Sequence, residues 1–97
     1  MRTLDDILTE LRSLQPALRR RYPIRSMGVF GSYARGEQRE GSDLDLLIGL
    51  GEGIDLIGFA GLQIDLSDAL GISVDLVDRE ALRPRLAEAV LAEVVPL

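Results

Sequence analysis

The stretch FGSYARGEQREGSDLDLLI, residues 30 to 48, decides how this chain folds and which chemistry it can carry. An apolar segment runs into Gly31 and Ser32, and a polar loop then connects to a second apolar segment that opens with Asp43 and Asp45. Short apolar segments bounded by glycine and serine are typical of β-strands joined by a loop. The stretch thus combines a glycine–serine turn with a pair of alternating carboxylates.

Gly31 and Ser32 form a candidate phosphate-binding turn. Where a strand ends in such a pair and a short helical turn follows, backbone N–H groups and the serine hydroxyl can bind phosphate oxygens. The glycine allows the backbone to approach those oxygens closely. An isolated Gly-Ser pair is usually an ordinary turn, so this interpretation depends on the carboxylates that follow.

Asp43 and Asp45 are two residues apart on a predicted strand, so their carboxylates project from the same face. Hard oxygen ligands of this kind are the ones that Mg²⁺ prefers. An isolated Asp-x-Asp is more often a solvated strand face. Here Leu44 and Leu46 line the other face and the segment continues through two more apolar residues, which predicts a strand inside the sheet.

A third carboxylate is expected from another strand, in SVDLVD, residues 73 to 78. Asp75 and Asp78 are both candidates. We favour Asp75 because it lies in mid-strand, whereas Asp78 has the position of an N-cap for the next helix. Two carboxylates about 7 Å apart repel by about 2.4 kcal/mol at an effective dielectric constant of 20, so a half-buried set of three needs a bound cation.

The remaining sequence predicts helices and further strands around these segments. Helical spacing of apolar residues indicates the helices, and short apolar runs indicate the strands. The buried stripe of the helix between Asp55 and Gly71 is expected to comprise Phe59, Leu62, Ile64, Leu66, Ala69 and Leu70. In chain order, the predicted elements are a helix after Thr3 that Pro16 kinks or divides and Pro23 stops, strands over 24–30 and 43–48, the helix from 55 to 71, a strand over 72–77, a helix over 80–95 broken at Pro84, and a short edge strand over 94–97.

Composition limits the classes of protein that fit. A chain of 97 residues is expected to form one domain, residues 1–97, and 46% hydrophobic but only 4% aromatic residues predict an aliphatic core. There is no cysteine and no histidine, which excludes a disulfide framework, a thiolate nucleophile and the usual zinc ligands. Carboxylates, hydroxyls, arginines and the backbone are left to carry the chemistry.

Charge and hydropathy narrow the partners. The net charge of −5 argues against non-specific binding of duplex nucleic acid, which depends on basic residues. No apolar run reaches the roughly 18 residues that a membrane span requires, and the first ten residues have the pattern of an amphipathic helix. We therefore expect a cytoplasmic protein that does not contact a membrane.

The spacing of these residues resembles the signature of the polymerase-beta-like nucleotidyltransferase superfamily, which is Gly-Ser, about ten residues, then Asp-x-Asp. Ten residues, 33 to 42, separate Ser32 from Asp43. The flanking ARGE at 34–37 and SDLDLLI at 42–48, and LG-x-x-VDLV at 70–77, look like the minimal nucleotidyltransferases that are antitoxin partners of HEPN-domain ribonucleases. The resemblance implies an α/β (α+β) fold in which helices pack on a small mixed sheet of three to four strands.

The resemblance also implies roles for the residues that match the signature. Asp43 and Asp45 would hold two magnesium ions, and Asp75 would complete the metal site and help to deprotonate the attacking hydroxyl. Gly31 and Ser32 would hold the β and γ phosphates of ATP.

Arg35 would be a further phosphate contact in such a family member. A surface salt bridge from Arg35 to Glu37 or Glu40 explains the same residue equally well.

The function implied is transfer of AMP from ATP to a hydroxyl, expected to be that of a tyrosine, on a HEPN-type toxin. The chain would act as an antitoxin within a hetero-oligomer, and its small size, which leaves no room for an acceptor-binding domain, favours a protein acceptor. One alternative is a non-catalytic module that neutralises or anchors its partner by contact. Another is nucleotidyl transfer to a small molecule or an RNA end.

Overall fold

The computed structural model describes residues 2–97 and arranges them as helices packed on one mixed β-sheet. This α/β architecture confirms the predicted fold class. A single turn of 3₁₀-helix, Arg79–Ala81, lies between the third strand and the last helix. The helices and strands are α1 (Leu4–Arg21), β1 (Ile24–Phe30), α2 (Ser32–Arg35), β2 (Leu44–Leu50), α3 (Leu56–Leu70), β3 (Val74–Asp78), α4 (Pro84–Glu93) and β4 (Val95–Pro96).

The sheet has the strand order β3-β2-β1-β4. β1 is antiparallel to both of its neighbours, β2 and β4, whereas β2 and β3 are parallel. Parallel strands require a crossover connection, and α3 provides it. β2 therefore has a strand on each side, as its apolar sequence predicts.

Helix α1 begins with a reciprocal cap. The Thr3 hydroxyl accepts a hydrogen bond from the Asp6 N–H at 3.2 Å, and the Asp6 carboxylate accepts one from the Thr3 N–H at 2.9 Å. The helix then continues through Pro16, so the alternative that proline opens a second segment is wrong. Leu11 and Leu18 are buried on either side of Pro16, and their packing against the core offsets the hydrogen bond that proline cannot donate.

The C-terminal part differs from the prediction at Pro84. The predicted single helix over 80–95 is instead the 3₁₀ turn followed by α4, whose first residue is Pro84. Proline is well suited to a first helical position because no N–H is needed there. Pro84 thus begins the helix that it was expected to break.

The buried face of α3 is narrower than predicted. Leu62, Leu66 and Leu70 are buried, whereas Ile64 is 59% exposed and Ala69 is also exposed. Phe59 is partly buried and packs against the core. Ile64 is two residues, or about 200° around the helix, from Leu62, so the two side chains cannot share a face.

The core is aliphatic, as the composition predicts, with Tyr33 as its one buried aromatic side chain within residues 2–97. No polar or charged side chain in that range is fully buried. Within residues 2–97, no helix is both long enough and apolar enough to cross a membrane. Side chains with no exposed surface are Ile7, Leu11, Val29, Leu44, Leu46, Ile48, Leu62 and Leu66.

Two leucines of α3 provide a matched test of this packing. Leu62 is 0% exposed and Leu56 is 85% exposed. We expect Leu62→Ala to lower the free energy of unfolding by about 2 to 5 kcal/mol, because it leaves a cavity. Leu56→Ala should change it by less than about 0.5 kcal/mol. Urea denaturation followed by circular dichroism measures both, and equal losses would contradict the described packing of α3.

Candidate active site

Strand register places the predicted site residues at one end of the sheet. Phe30, the last residue of β1, pairs with Asp45 near the start of the antiparallel strand β2. Asp45 in turn pairs with Asp75 on the parallel strand β3. Gly31 follows Phe30 in the chain, and Asp43 precedes Asp45 by two residues. The structure therefore brings together the glycine turn and all three predicted carboxylate residues.

Gly31 lies directly against the Asp45 side chain. Its backbone has φ 74° and ψ −150°, a combination that is open essentially only to glycine. A Cβ at this position would overlap Oδ2 of Asp45 and lie 2.9 Å from its Cγ. The missing side chain of Gly31 is thus what allows the turn to contact the carboxylate.

Ser32 begins the short helix α2, as predicted for the residue after the turn. The Ser32 carbonyl accepts a hydrogen bond from the Glu37 N–H at 2.9 Å. Gly36 ends the helix in the left-handed region, with φ 71°. The Gly-Ser pair therefore enters a compact helical turn that carries Arg35 at its end.

Asp45 is half-buried, and its environment disfavours ionisation. Burial raises the pKa of Asp45 above its ordinary value of 3.8, and the negative charges of Asp75 and Asp43 and a hydrogen bond with Asp75 raise it further. The positive charge of Arg35 acts in the opposite direction on this pKa. Asp43 and Asp75 themselves are exposed. The carboxylates are therefore close enough to repel one another while water reaches two of them.

The donor set fits a hard divalent cation. A cation beside Asp45 and Asp75 would offset the repulsion that raises the pKa of Asp45. Within residues 2–97, however, no group of three or more acidic side chains is spaced for a metal ion as the side chains stand. Asp45 and Asp75 could provide the first ligands, and the exposed Asp43 lies just before β2.

Asp78 lies three positions along the ladder from this site, because it pairs with Ile48 rather than with Asp45. Its Oδ1 accepts a hydrogen bond from the Glu80 N–H at 3.0 Å, which caps the 3₁₀ turn. Asp78 thus has the N-cap geometry expected from the sequence. Of the two candidates for the third carboxylate, Asp75 is the one that the structure brings beside Asp45.

Arg35 contacts two carboxylates. Its Nε donates to Oε1 of Glu37 at 3.2 Å, which is one of the two salt bridges considered from the sequence; Glu40 is not its partner. Its Nη1 donates to Oε2 of Glu93 at 3.0 Å and to Oε1 at 3.2 Å. Glu93 was not predicted from the sequence as a site residue.

Glu93 also contacts the candidate phosphate-binding turn. Its Oε1 accepts a hydrogen bond from the Gly31 N–H at 2.9 Å. This hydrogen bond, and then those from Arg35, lower the pKa of Glu93, so its carboxylate is ionised at neutral pH. The sequence shows only an acid at the end of the last helix. Its contact with Gly31 becomes apparent only once the pairing of β4 with β1 is known.

The sequence profile of the nucleotidyltransferase domain family matches residues 11–96. The chain belongs to this family of nucleotidyl-transferring enzymes, which confirms the class that its turn and carboxylates predict. Similarity to individual proteins covers nearly the whole chain. The protein adenylyltransferase MntA of Thermococcus cleftensis is 43% identical over 95 residues, which are 98% of this chain and 96% of that protein.

Two solved structures show the same architecture. One, described as a minimal nucleotidyltransferase, has a TM-score of 0.84 and 41% identity, and the match covers 99% of this chain and 97% of the other. The second is a crystal structure of a toxin–antitoxin complex with AMP-PNP, with a TM-score of 0.70 and 28% identity over 96% of this chain and 70% of the other. The predicted resemblance to minimal nucleotidyltransferases is confirmed.

Two constraints act on the turn, namely backbone strain at positive φ and steric contact with Asp45. Gly31 and Gly36 allow the two to be measured separately, since both have positive φ but only Gly31 faces Asp45. We expect Gly36→Ala to cost about 1 to 2 kcal/mol of stability, from backbone strain alone. Gly31→Ala should cost about 3 kcal/mol or more, because steric overlap adds to the strain. Thermal unfolding measures both. Part of the excess should disappear in an Asp45→Ala background, and an unchanged excess would contradict the contact.

The raised pKa of Asp45 predicts how stability depends on pH. Below its ordinary value of 3.8 the group is protonated in both states and costs nothing. Between that value and the higher pKa of the folded state, the unfolded chain releases the Asp45 proton more readily than the folded protein does, so the cost to stability grows with pH and is complete above the folded-state pKa. Asp45→Asn should therefore raise the Tm at pH 7, by about 4 to 8 °C for each kcal/mol of repulsion relieved, and this gain should fade toward pH 4.

The matched control is Glu88→Gln, which neutralises an exposed acid on α4. Its effect on Tm should be small at every pH. An Asp45→Asn variant that is less stable than the parent at pH 7 without added cations would show that the carboxylate repulsion is not the dominant effect.

Proposed function

We propose that this chain is a magnesium-dependent adenylyltransferase that transfers AMP from ATP to a tyrosine hydroxyl of a HEPN-type toxin and thereby acts as its antitoxin. The observation that carries the proposal is the pairing of Asp45 with Asp75 beside the Gly31 backbone. This arrangement places hard anionic ligands next to a turn suited to phosphates. The similarity to a protein named as a protein adenylyltransferase supports a protein as the acceptor.

The proposed site has two halves. Asp45 and Asp75, with Asp43, would hold Mg²⁺, which when bound lowers the pKa of a hydroxyl and neutralises charge on a leaving pyrophosphate. On the other half, the N–H and hydroxyl of Ser32 would bind the β and γ phosphates. The Gly31 backbone, which has no side chain, leaves space for them beside the carboxylates.

The reaction needs a base and an open acceptor position. The tyrosine oxygen attacks the α phosphorus, the bond from that phosphorus to the bridging oxygen breaks, and pyrophosphate leaves. Asp75 is exposed and would accept the proton of the tyrosine hydroxyl. Because Asp75 belongs to β3, one of the two edge strands of the sheet, a large acceptor can approach this carboxylate from outside.

The comparisons support the proposed partner and nucleotide. The toxin–antitoxin complex that shares this fold contains AMP-PNP, an ATP analogue. That complex supports ATP as the nucleotide and a toxin as the partner of this chain. It is also consistent with a hetero-oligomer.

A non-catalytic module is the second candidate, and two observations favour it. The three acidic side chains are not spaced for a metal ion as they stand, and Glu93 occupies the Gly31 N–H. Under this alternative the chain would neutralise its toxin by contact, and the carboxylates would have no role in the neutralisation.

The carboxylates distinguish the two candidates. The purified chain, a HEPN-type partner, ATP and Mg²⁺ should yield a partner whose mass has increased by one or more AMP units. Asp45→Asn and Asp75→Asn should each reduce the rate at least about 100-fold, as expected for loss of about 3 kcal/mol of transition-state stabilisation. Asp78→Asn is the matched control on β3, and it should retain the rate.

Two results would contradict the proposal. One is the absence of transfer from any nucleoside triphosphate to the partner. The other is toxin neutralisation that persists in Asp45→Asn and Asp75→Asn together with a stable complex, which would favour the contact module.

A further inference from the structure

We infer that Glu93 is a positioning residue, whose carboxylate holds the Gly31 backbone and the Arg35 guanidinium in the arrangement that receives the phosphates of the nucleotide. This inference rests on the proposed function. It adds a residue from the opposite end of the chain to a site that otherwise comes from β1, α2, β2 and β3.

The contacts of Glu93 connect both ends of the phosphate-binding turn. Its Oε1 accepts from the Gly31 N–H at 2.9 Å, and its Oε2 accepts from Nη1 of Arg35 at 3.0 Å. Gly31 precedes α2 and Arg35 ends it. A single carboxylate therefore fixes the turn at its first and last residues through charge-assisted hydrogen bonds, which are the stronger kind.

Gly31 requires such a partner. The β1–β2 ladder ends at the pair Phe30 and Asp45, so the Gly31 N–H lies beyond it. Glycine also has more conformational freedom to lose than any other residue, and Gly31 has φ 74° and ψ −150°. The hydrogen bond that the Gly31 N–H donates to Glu93 helps to hold this dihedral pair, and with it the direction in which the following N–H and hydroxyl of Ser32 point.

Glu93 is itself held firmly. It is the last residue of α4, and Val95 in the next strand pairs with Val29 of β1. Between them, Val94 packs so closely on β1 that a Cβ at Gly28 would lie 2.6 Å from its Cγ2. The Glu93 side chain is only 29% exposed. A residue anchored in this way is better suited to holding the turn in place than to moving in and out of the nucleotide site.

If Glu93 competed with the nucleotide instead of supporting the turn, its removal would change the KM for ATP in the opposite direction. A carboxylate on Gly31 and Arg35 resembles a phosphate oxygen, and a Glu93 that competed with the nucleotide would weaken its binding. Removing a competitor lowers the KM for ATP, whereas removing a support raises it. The direction of the change in KM therefore separates the two roles.

The test compares two variants of Glu93 in AMP transfer to the HEPN-type partner. Glu93→Ala removes both contacts, and we expect the KM for ATP to rise about 10-fold while kcat falls less than about 3-fold. Glu93→Gln retains an oxygen that can accept from the Gly31 N–H but loses the charge that faces Arg35, so its KM should rise about 3-fold. Glu88→Ala, an exposed glutamate of α4, should leave the KM unchanged.

Binding of AMP-PNP in the presence of Mg²⁺, measured by calorimetry, provides a readout that does not need an acceptor. At a temperature well below the Tm of each variant, the dissociation constant should be smallest for the parent chain, larger for Glu93→Gln and largest for Glu93→Ala. An unchanged constant with a lower Tm would mean that Glu93 only stabilises the fold, and a smaller constant would mean that it competes with phosphate; either overturns the inference. If Glu93→Ala does not fold, the nearly isosteric Glu93→Gln carries the test.

Failure of the inference differs from failure of the proposed function. If the parent chain neither binds AMP-PNP nor transfers AMP, the proposed function is wrong, and the inference is wrong with it. If the parent chain is active and both Glu93 variants match it in KM and dissociation constant, only the inference is wrong.

Discussion

The contact between the Gly31 backbone and the Asp45 carboxylate is the constraint on which the rest of the site depends. It exists because β1 and β2 are antiparallel, so that the end of one strand meets the start of the other. A side chain at residue 31 would overlap the Asp45 carboxylate. The glycine thus brings the candidate phosphate-binding turn within contact distance of a carboxylate that is proposed to bind a metal ion. The proposed transfer of a nucleotide needs both groups close together.

The carboxylates make this end of the sheet costly for the fold. Asp45 is half-buried beside Asp75 and Asp43, and its raised pKa is the measure of that cost. The protein limits the cost in two ways. Asp43 and Asp75 remain exposed, where water screens their charges, and the Arg35 charge acts in the opposite direction. A bound cation would remove much of the remaining repulsion.

Arg35 and Glu93 show how a short chain stabilises a turn that has no strand partner. Four residues of α2 bury only Tyr33, and so they contribute little packing of their own. The carboxylate of Glu93 compensates by joining the turn to α4, whose end is anchored by β4 on β1. The last residues of the chain thereby become part of the support for the first functional residues after β1.

How much could be predicted differs between local and long-range features. Local sequence pattern was enough to predict the strands around residues 30 and 44, the Gly-Ser turn, the alternating acids and the cap at Asp78, because each depends on spacing within a few residues. The prediction from the sequence was wrong about the exposed face of α3 and the role of Pro84, because burial and the start of a helix depend on packing. The position of Asp75 in mid-strand favoured it over Asp78, but its place beside Asp45 and the contact of Glu93 with Gly31 are set by the fold. Those contacts depend on strand register and on the pairing of β4 with β1, which join residues 30 or more positions apart, and spacing within a few residues does not specify which distant residues meet.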